Sequence, residues 1–131
     1  MTTESSKKFV EVSLKRADEA LRGARILLKE RELYGSVSRA YYCVFHAAEA
    51  LLYSKGIRTK THGGLRLLFG EHIIRPGIMD KEYADILRDT FSARQLSDYE
   101  VYAEIGPVEV KELISKAEHF LEAVKESLKK S

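Results

Sequence analysis

Apolar residues recur at helical spacing along almost the whole chain, and this feature narrows the possible folds more than any other. Between Ser6 and Leu33 they fall at Leu14, Ala17, Leu21, Ala24 and Leu28. Steps alternating between three and four residues trace one stripe along a long helix. No segment shows the period of two that a half-buried strand requires. There is no internal repeat. Two prolines and eight glycines in 131 residues leave few places where such helices can be interrupted.

Those interruptions suggest five helices. "YGS" at Tyr34 to Ser36 reads as the end of the first. A second is expected from Ser36 to Lys55, with Ser36 or Ser38 as its cap. The loop "KGIRTKTHGG" follows, then a short helix over Leu65 to Ile74 and a turn at "RPG", Arg75 to Gly77. Asp80 is placed to cap a fourth helix running to Tyr99 or Tyr102. Gly106-Pro107, with Glu109 in the first turn, opens a last helix to Lys129. Its closing Lys125, Lys129 and Lys130 suit the negative end of the helix dipole. The expected fold class is all-α, an up-and-down bundle of four longer helices plus one short helix. One domain spans residues 1–131, with residues 1–5 as a disordered N-terminus.

Composition limits the function classes. Net charge is only +2, which argues against strong general affinity for nucleic acid but not against local patches of charge. The single cysteine, Cys43, cannot form an internal disulfide or contribute to a multi-cysteine zinc cluster, and fits a reducing compartment. No segment approaches the ~18 uninterrupted apolar residues of a membrane span, and the N-terminus has no signal-peptide core. The expected location is cytoplasmic, with no membrane association.

The second helix has two unusual sides. Val37, Tyr41, Val44, Ala48, Leu51 and Leu52 share the face expected in the core. Opposite lie Arg39, Tyr42, Cys43, His46, Ala50 and Tyr53, with little of the Lys and Glu that an ordinary solvent face carries. This second face should meet another helix, a second subunit or a ligand. Arg39 and His46, seven apart, can hold a phosphate and move a proton. They can equally serve as an ion-pair partner and an internal hydrogen-bonding group.

On the fourth helix, Tyr83, Leu87, Phe91, Arg94 and Asp98 share a narrow face, so Arg94 continues a core-facing stripe where an unpaired charge is costly. Asp98, four residues on, can pair with it, although arginine on the N-terminal side is the less favoured order along a helix. The pair reads either as structural or as part of a polar groove with Tyr99. The loop after the second helix gathers Lys55, Arg58, Lys60, His62 and Arg66, and Gly63-Gly64 leads into a helix N-terminus. Lys60, Thr61, His62 and Gly64 are the phosphate-binding candidates, since free N–H groups at such a terminus attract anions. No histidine has a glutamate three residues before it, and HExxH, Walker and GxSxG motifs are absent. Neither a metal nor a cofactor is expected.

Three segments together resemble the HEPN family, the higher eukaryote and prokaryote nucleotide-binding domain. They are "SRAYYCVFHAAEALL", "GIRTKTHGGLRLLF" and "RQLSDYE", and they match a branch of small stand-alone prokaryotic members. The resemblance implies a five-helix bundle and a homodimer, with a minimal nucleotidyltransferase as partner in a toxin–antitoxin or stress module. Active members of the family are metal-independent endoribonucleases. Their signature is an arginine followed after four to six residues by a histidine, sometimes with a nearby tyrosine that the partner modifies with AMP. Here the positions after Arg94 that would hold the histidine are Tyr99, Glu100 and Val101. Arg39 and His46 have the right separation but lie in the second helix.

The function expected is therefore a dimeric module without the usual catalytic histidine. It would bind a nucleotide, RNA or a nucleotidyltransferase through Arg94, Asp98 and Tyr99, with Arg39, Tyr42 and His46 facing the same groove. The alternatives are a ribonuclease using Arg39, His46 or Arg94 in an unusual arrangement, and an adaptor serving assembly alone.

Overall fold

The computed structural model describes residues 4–99 and 104–130. The chain forms α1 (Glu4–Lys29), α2 (Leu33–Ser54), α3 (His62–Phe69), α4 (Lys81–Tyr99) and α5 (Pro107–Lys130). A π-helical turn, Gly70–Ile74, continues α3. No strand occurs among the described residues, and no helix there is long and apolar enough to cross a membrane. The protein is an all-α bundle of four long helices and one short one.

Helix α2 is central, packing against α1, α3, α4 and α5. That position explains its two apolar sides. Ala40, Ala47, Ala48 and Ala50 are fully buried, and such small residues let neighbouring helices approach closely. The core-facing set Val37, Tyr41, Val44, Ala48, Leu51 and Leu52 is sealed as expected, at no more than 1% exposure. Burying each large apolar side chain contributes about 1.5–3 kcal/mol relative to exposure. On the stripe of α1, Ala17, Leu21 and Ala24 are buried while Leu14 and Leu28 pack on the core's edge.

The junction between the first two helices differs from expectation. The break falls at Glu30 to Glu32, and "YGS" lies inside the first turns of α2. Helix α1 ends with Arg31 at φ 64°, where Arg31 N–H donates to Leu28 O and Glu32 N–H donates to Leu27 O. This is the Schellman arrangement, which ordinarily places glycine at the left-handed residue. Gly35 lies within α2 against Leu27, where an added Cβ would meet Leu27 Cδ1 at 3.2 Å. Ser36 is not a cap. Its buried hydroxyl donates across to Ala24 O at 2.7 Å, joining α2 to α1.

At the start of α5 the expected signal acts as read. Glu109 Oε2 accepts from Gly106 N–H at 2.9 Å at the start of α5. Glu4 and Ser5, assigned by sequence to a disordered terminus, are the first residues of α1. The short helix begins earlier than expected, at His62, because Thr61 caps it.

Candidate functional site

Rings and cations from three helices converge beside the middle of α2. Helix α2 contributes Tyr41, Tyr42 and Phe45, α3 contributes His62 and Arg66, and α4 contributes Phe91 and Arg94. Tyr41 is fully buried. A phenol so placed requires a hydrogen-bond partner. It has one in His62, whose Nδ1 lies 2.5 Å from Tyr41 Oη. The His62 ring packs on Phe45 at 4.7 Å between centroids.

Both arginines lie on aromatic faces. The Arg94 guanidinium is 5.2 Å from the Tyr42 ring and 5.6 Å from the Tyr41 ring. Arg66 lies 4.2 Å over Phe91. Such stacking contributes about 0.5–2 kcal/mol, more as the cation is desolvated. Arg94 Nε approaches Asp98 Oδ2 at 3.2 Å, an ion pair without hydrogen-bond alignment. Arg66 Nε is likewise buried with no hydrogen-bond partner. An unmade hydrogen bond on a buried charged group is costly.

The electrostatics follow from this crowding. Burial, then the neighbouring Arg94 and Arg66, holds His62 below its ordinary 6.5, with Glu49 acting the other way. Burial pushes the Tyr41 phenol far above its ordinary value, outweighing Arg94 and Arg66. At neutral pH the cluster thus pairs a neutral imidazole and a protonated phenol with two cations. Arginines on aromatic faces, with spare N–H groups, suit an anion such as phosphate.

The candidates read from sequence do not all meet here. Arg94, Asp98 and Tyr42 come together as expected. His46 lies at the edge, 5.9 Å from Tyr42 between centroids, and pairs with Glu49 Oε1 of its own helix at 3.0 Å. Arg39 packs toward α1 instead, and a Cβ on Gly23 would meet its Nε at 3.4 Å. Tyr99 closes α4, but its side chain and Tyr102 lie outside the described residues.

The loop is also arranged differently from a phosphate cradle. Thr61 Oγ1 accepts from Gly64 N–H at 2.8 Å, so that donor is already occupied by the cap. Gly64 has no room for a side chain, since an added Cβ would meet Thr61 Oγ1 at 2.8 Å. His62 turns inward to Tyr41, and only Lys60 of the four is left exposed without an internal role among the described residues. Tyr41 was legible only as a core residue and Arg66 only as part of a basic loop. A core-facing tyrosine, whose hydroxyl needs a partner when buried, is the signal from which a polar contact there follows.

Comparison with known proteins agrees with this architecture. A UPF0332 protein of Thermotoga maritima is 35% identical over 117 residues, 89% of each chain. A Methanocaldococcus jannaschii protein named "Putative toxin" is 33% identical over 86% of this chain and 84% of its own. A UPF0332 protein of Pyrococcus horikoshii is 41% identical over 67% of this chain and 62% of its own. The HEPN domain profile matches residues 10–127, nearly the full bundle. With that match over a five-helix bundle centred on α2, the chain belongs to the HEPN domain family.

Proposed function

We propose that this protein is a dimeric, cytoplasmic HEPN module that binds RNA or a nucleotide, paired with a minimal nucleotidyltransferase in a toxin–antitoxin or stress-response system. The observation carrying the reading is the convergence of Arg66 and Arg94, each with a buried Nε lacking a hydrogen-bond partner, on the Tyr41–Tyr42–Phe91 rings. Guanidiniums supply paired donors for phosphate oxygens, and Tyr42 and Phe45 offer ring surface for a base. The toxin name of the Methanocaldococcus jannaschii relative points to the same kind of system.

The test is binding of a fluorescent single-stranded RNA across a salt series, with oligomeric mass measured by light scattering. Arg94→Ala should weaken binding and lower the slope of log affinity against log salt by about one phosphate contact, while the dimer remains. Unchanged affinity and slope would remove Arg94 from the ligand site. Co-purification with a nucleotidyltransferase co-expressed from a neighbouring gene tests the pairing.

A further inference from the structure

A second group of cations lies away from the ring cluster. Arg25, Leu28 and Lys29 of α1, Arg31 of the turn after it, and Pro107 and Lys111 of α5 line a cavity of about 270 Å³. None of these elements supplies the ring cluster, which is built from α2, α3 and α4. Four of the six lining residues are cations and none is an acid, a local excess in a chain whose net charge is only +2. Arg25 is held by Glu118 at 2.7 Å. Lys29, Arg31 and Lys111 are exposed and make no ion pair or side-chain hydrogen bond among the described residues. Two of these placements work against local stability. Arg31 holds φ 64°, a backbone that glycine takes more readily and does take at Gly56 and Gly77. Lys111 stands one turn into α5, near the positive end of the helix dipole, where a cation gains nothing from the dipole. Like charges gathered without an acid among them repel, and an anion seated between them removes that repulsion.

We propose that this cavity is a second anion site, which takes closely spaced phosphate groups. Lys29 and Lys111 supply rotatable ammonium donors from two helices, and Arg31 supplies a planar fork that bonds two oxygens at once. Three uncommitted cations exceed the charge of one phosphate group, which is about −2 at most near neutral pH. An oligophosphate, or consecutive phosphates of an RNA strand, carries the charge that matches them. Leu28 and Pro107 give the cavity apolar walls, and attraction between charges strengthens where water is displaced. The conformational cost of Arg31 then has a return: the side chain at that position lines the cavity together with Lys111 of α5. The site does not depend on the RNA reading of the ring cluster, since the two share no residue.

The experiment titrates the isotopically labelled full chain with inorganic pyrophosphate, followed by amide NMR, and separately with a single-stranded RNA. Pyrophosphate should shift the amide signals of Lys29 to Glu32 and of Val108 to Lys111, and the shifts should saturate. Lys111→Ala and Arg31→Gly should each weaken this binding about tenfold, as loss of a hydrogen bond between charged groups does. Arg94→Ala should leave it unchanged. Because glycine readily takes the backbone of Arg31, weaker binding by Arg31→Gly is not a failure to fold. The RNA titration separates the two sources of phosphate. A strand that crosses the cavity loses about one phosphate contact from its salt dependence in Lys111→Ala. A free oligophosphate as ligand leaves RNA affinity untouched in that variant while pyrophosphate binding falls. Shifts at the cavity that are absent or do not saturate would overturn the proposal. So would pyrophosphate binding that keeps its wild-type strength in both Lys111→Ala and Arg31→Gly, or that is lost in Arg94→Ala.

Discussion

Tyr41 of α2 and His62 of α3 are joined by a 2.5 Å contact between Oη and Nδ1, and this contact ties the core to the candidate site. Tyr41 is sealed from solvent among core residues, while its hydroxyl reaches a histidine only partly buried. One residue thus serves packing with its ring and site geometry with its oxygen.

The same contact predicts how stability depends on pH. Burial and the two arginines hold His62 below its ordinary 6.5 in the folded chain, so the unfolded chain binds the proton first on acidification. This group's contribution to stability is full above 6.5 and declines as pH falls from there toward the lower folded value. Urea unfolding at pH 7.5 and pH 5.5 should show that loss in wild type and a smaller one in His62→Gln. An equal pH dependence in both proteins would show that His62 is not its source.

The cap at the start of α3 should respond to either of its partners. Thr61→Ala removes the acceptor for Gly64 N–H and should cost about 1 kcal/mol. Gly64→Ala puts a Cβ against Thr61 Oγ1 and should cost a similar amount or more, about 1–2 kcal/mol. Because both disturb one contact, the double variant should lose less than the sum of the single losses. Chemical denaturation of the four proteins completes the cycle, and strict additivity would contradict a shared contact.

Arg31 offers the reverse case. It holds a left-handed backbone where Gly56 and Gly77, at φ 77° and 83°, close the corresponding turns after α2 and the π-helical turn. A side chain in that region costs about 1 kcal/mol. Arg31→Gly should therefore raise stability by about 1 kcal/mol, less any entropy gained by the unfolded chain. A drop in the denaturation midpoint would show that the Arg31 side chain itself contributes.

Cys43 should behave as an inert core residue. It is fully buried, with Sγ 3.9 Å from Ala117 O of α5, and burial pushes its thiol up to about 12. The thiolate is the reactive form, so a thiol reagent at pH 8 should label the native protein at the rate of unfolding and the denatured protein at once. Rapid labelling of the native state would mean that α2 and α5 separate readily.

Helix existence was legible in the sequence because burial of one face imposes a local period. The stripe on α1, the core face of α2 and the Gly106-Pro107 start all act over a few residues of chain. The family resemblance carried by "SRAYY", "KTHGG" and "RQLSDY" was legible for a related reason. In "KTHGG" the local need is visible: the Thr61 cap leaves Gly64 no room for a side chain.

What only the tertiary structure decided were contacts between residues far apart in the chain. Gly35 and Ser36 look like a helix stop, yet Leu27 and Ala24 of the neighbouring helix make them a close-packing and cross-linking pair. Arg39 and His46 share a face of α2, but α1 draws the first toward Gly23 while the second pairs with Glu49. His62 looks like a loop residue and becomes the polar partner of Tyr41. Periodicity says which side of a helix is buried. It does not say against what, and the chemistry of this site depends on that second fact.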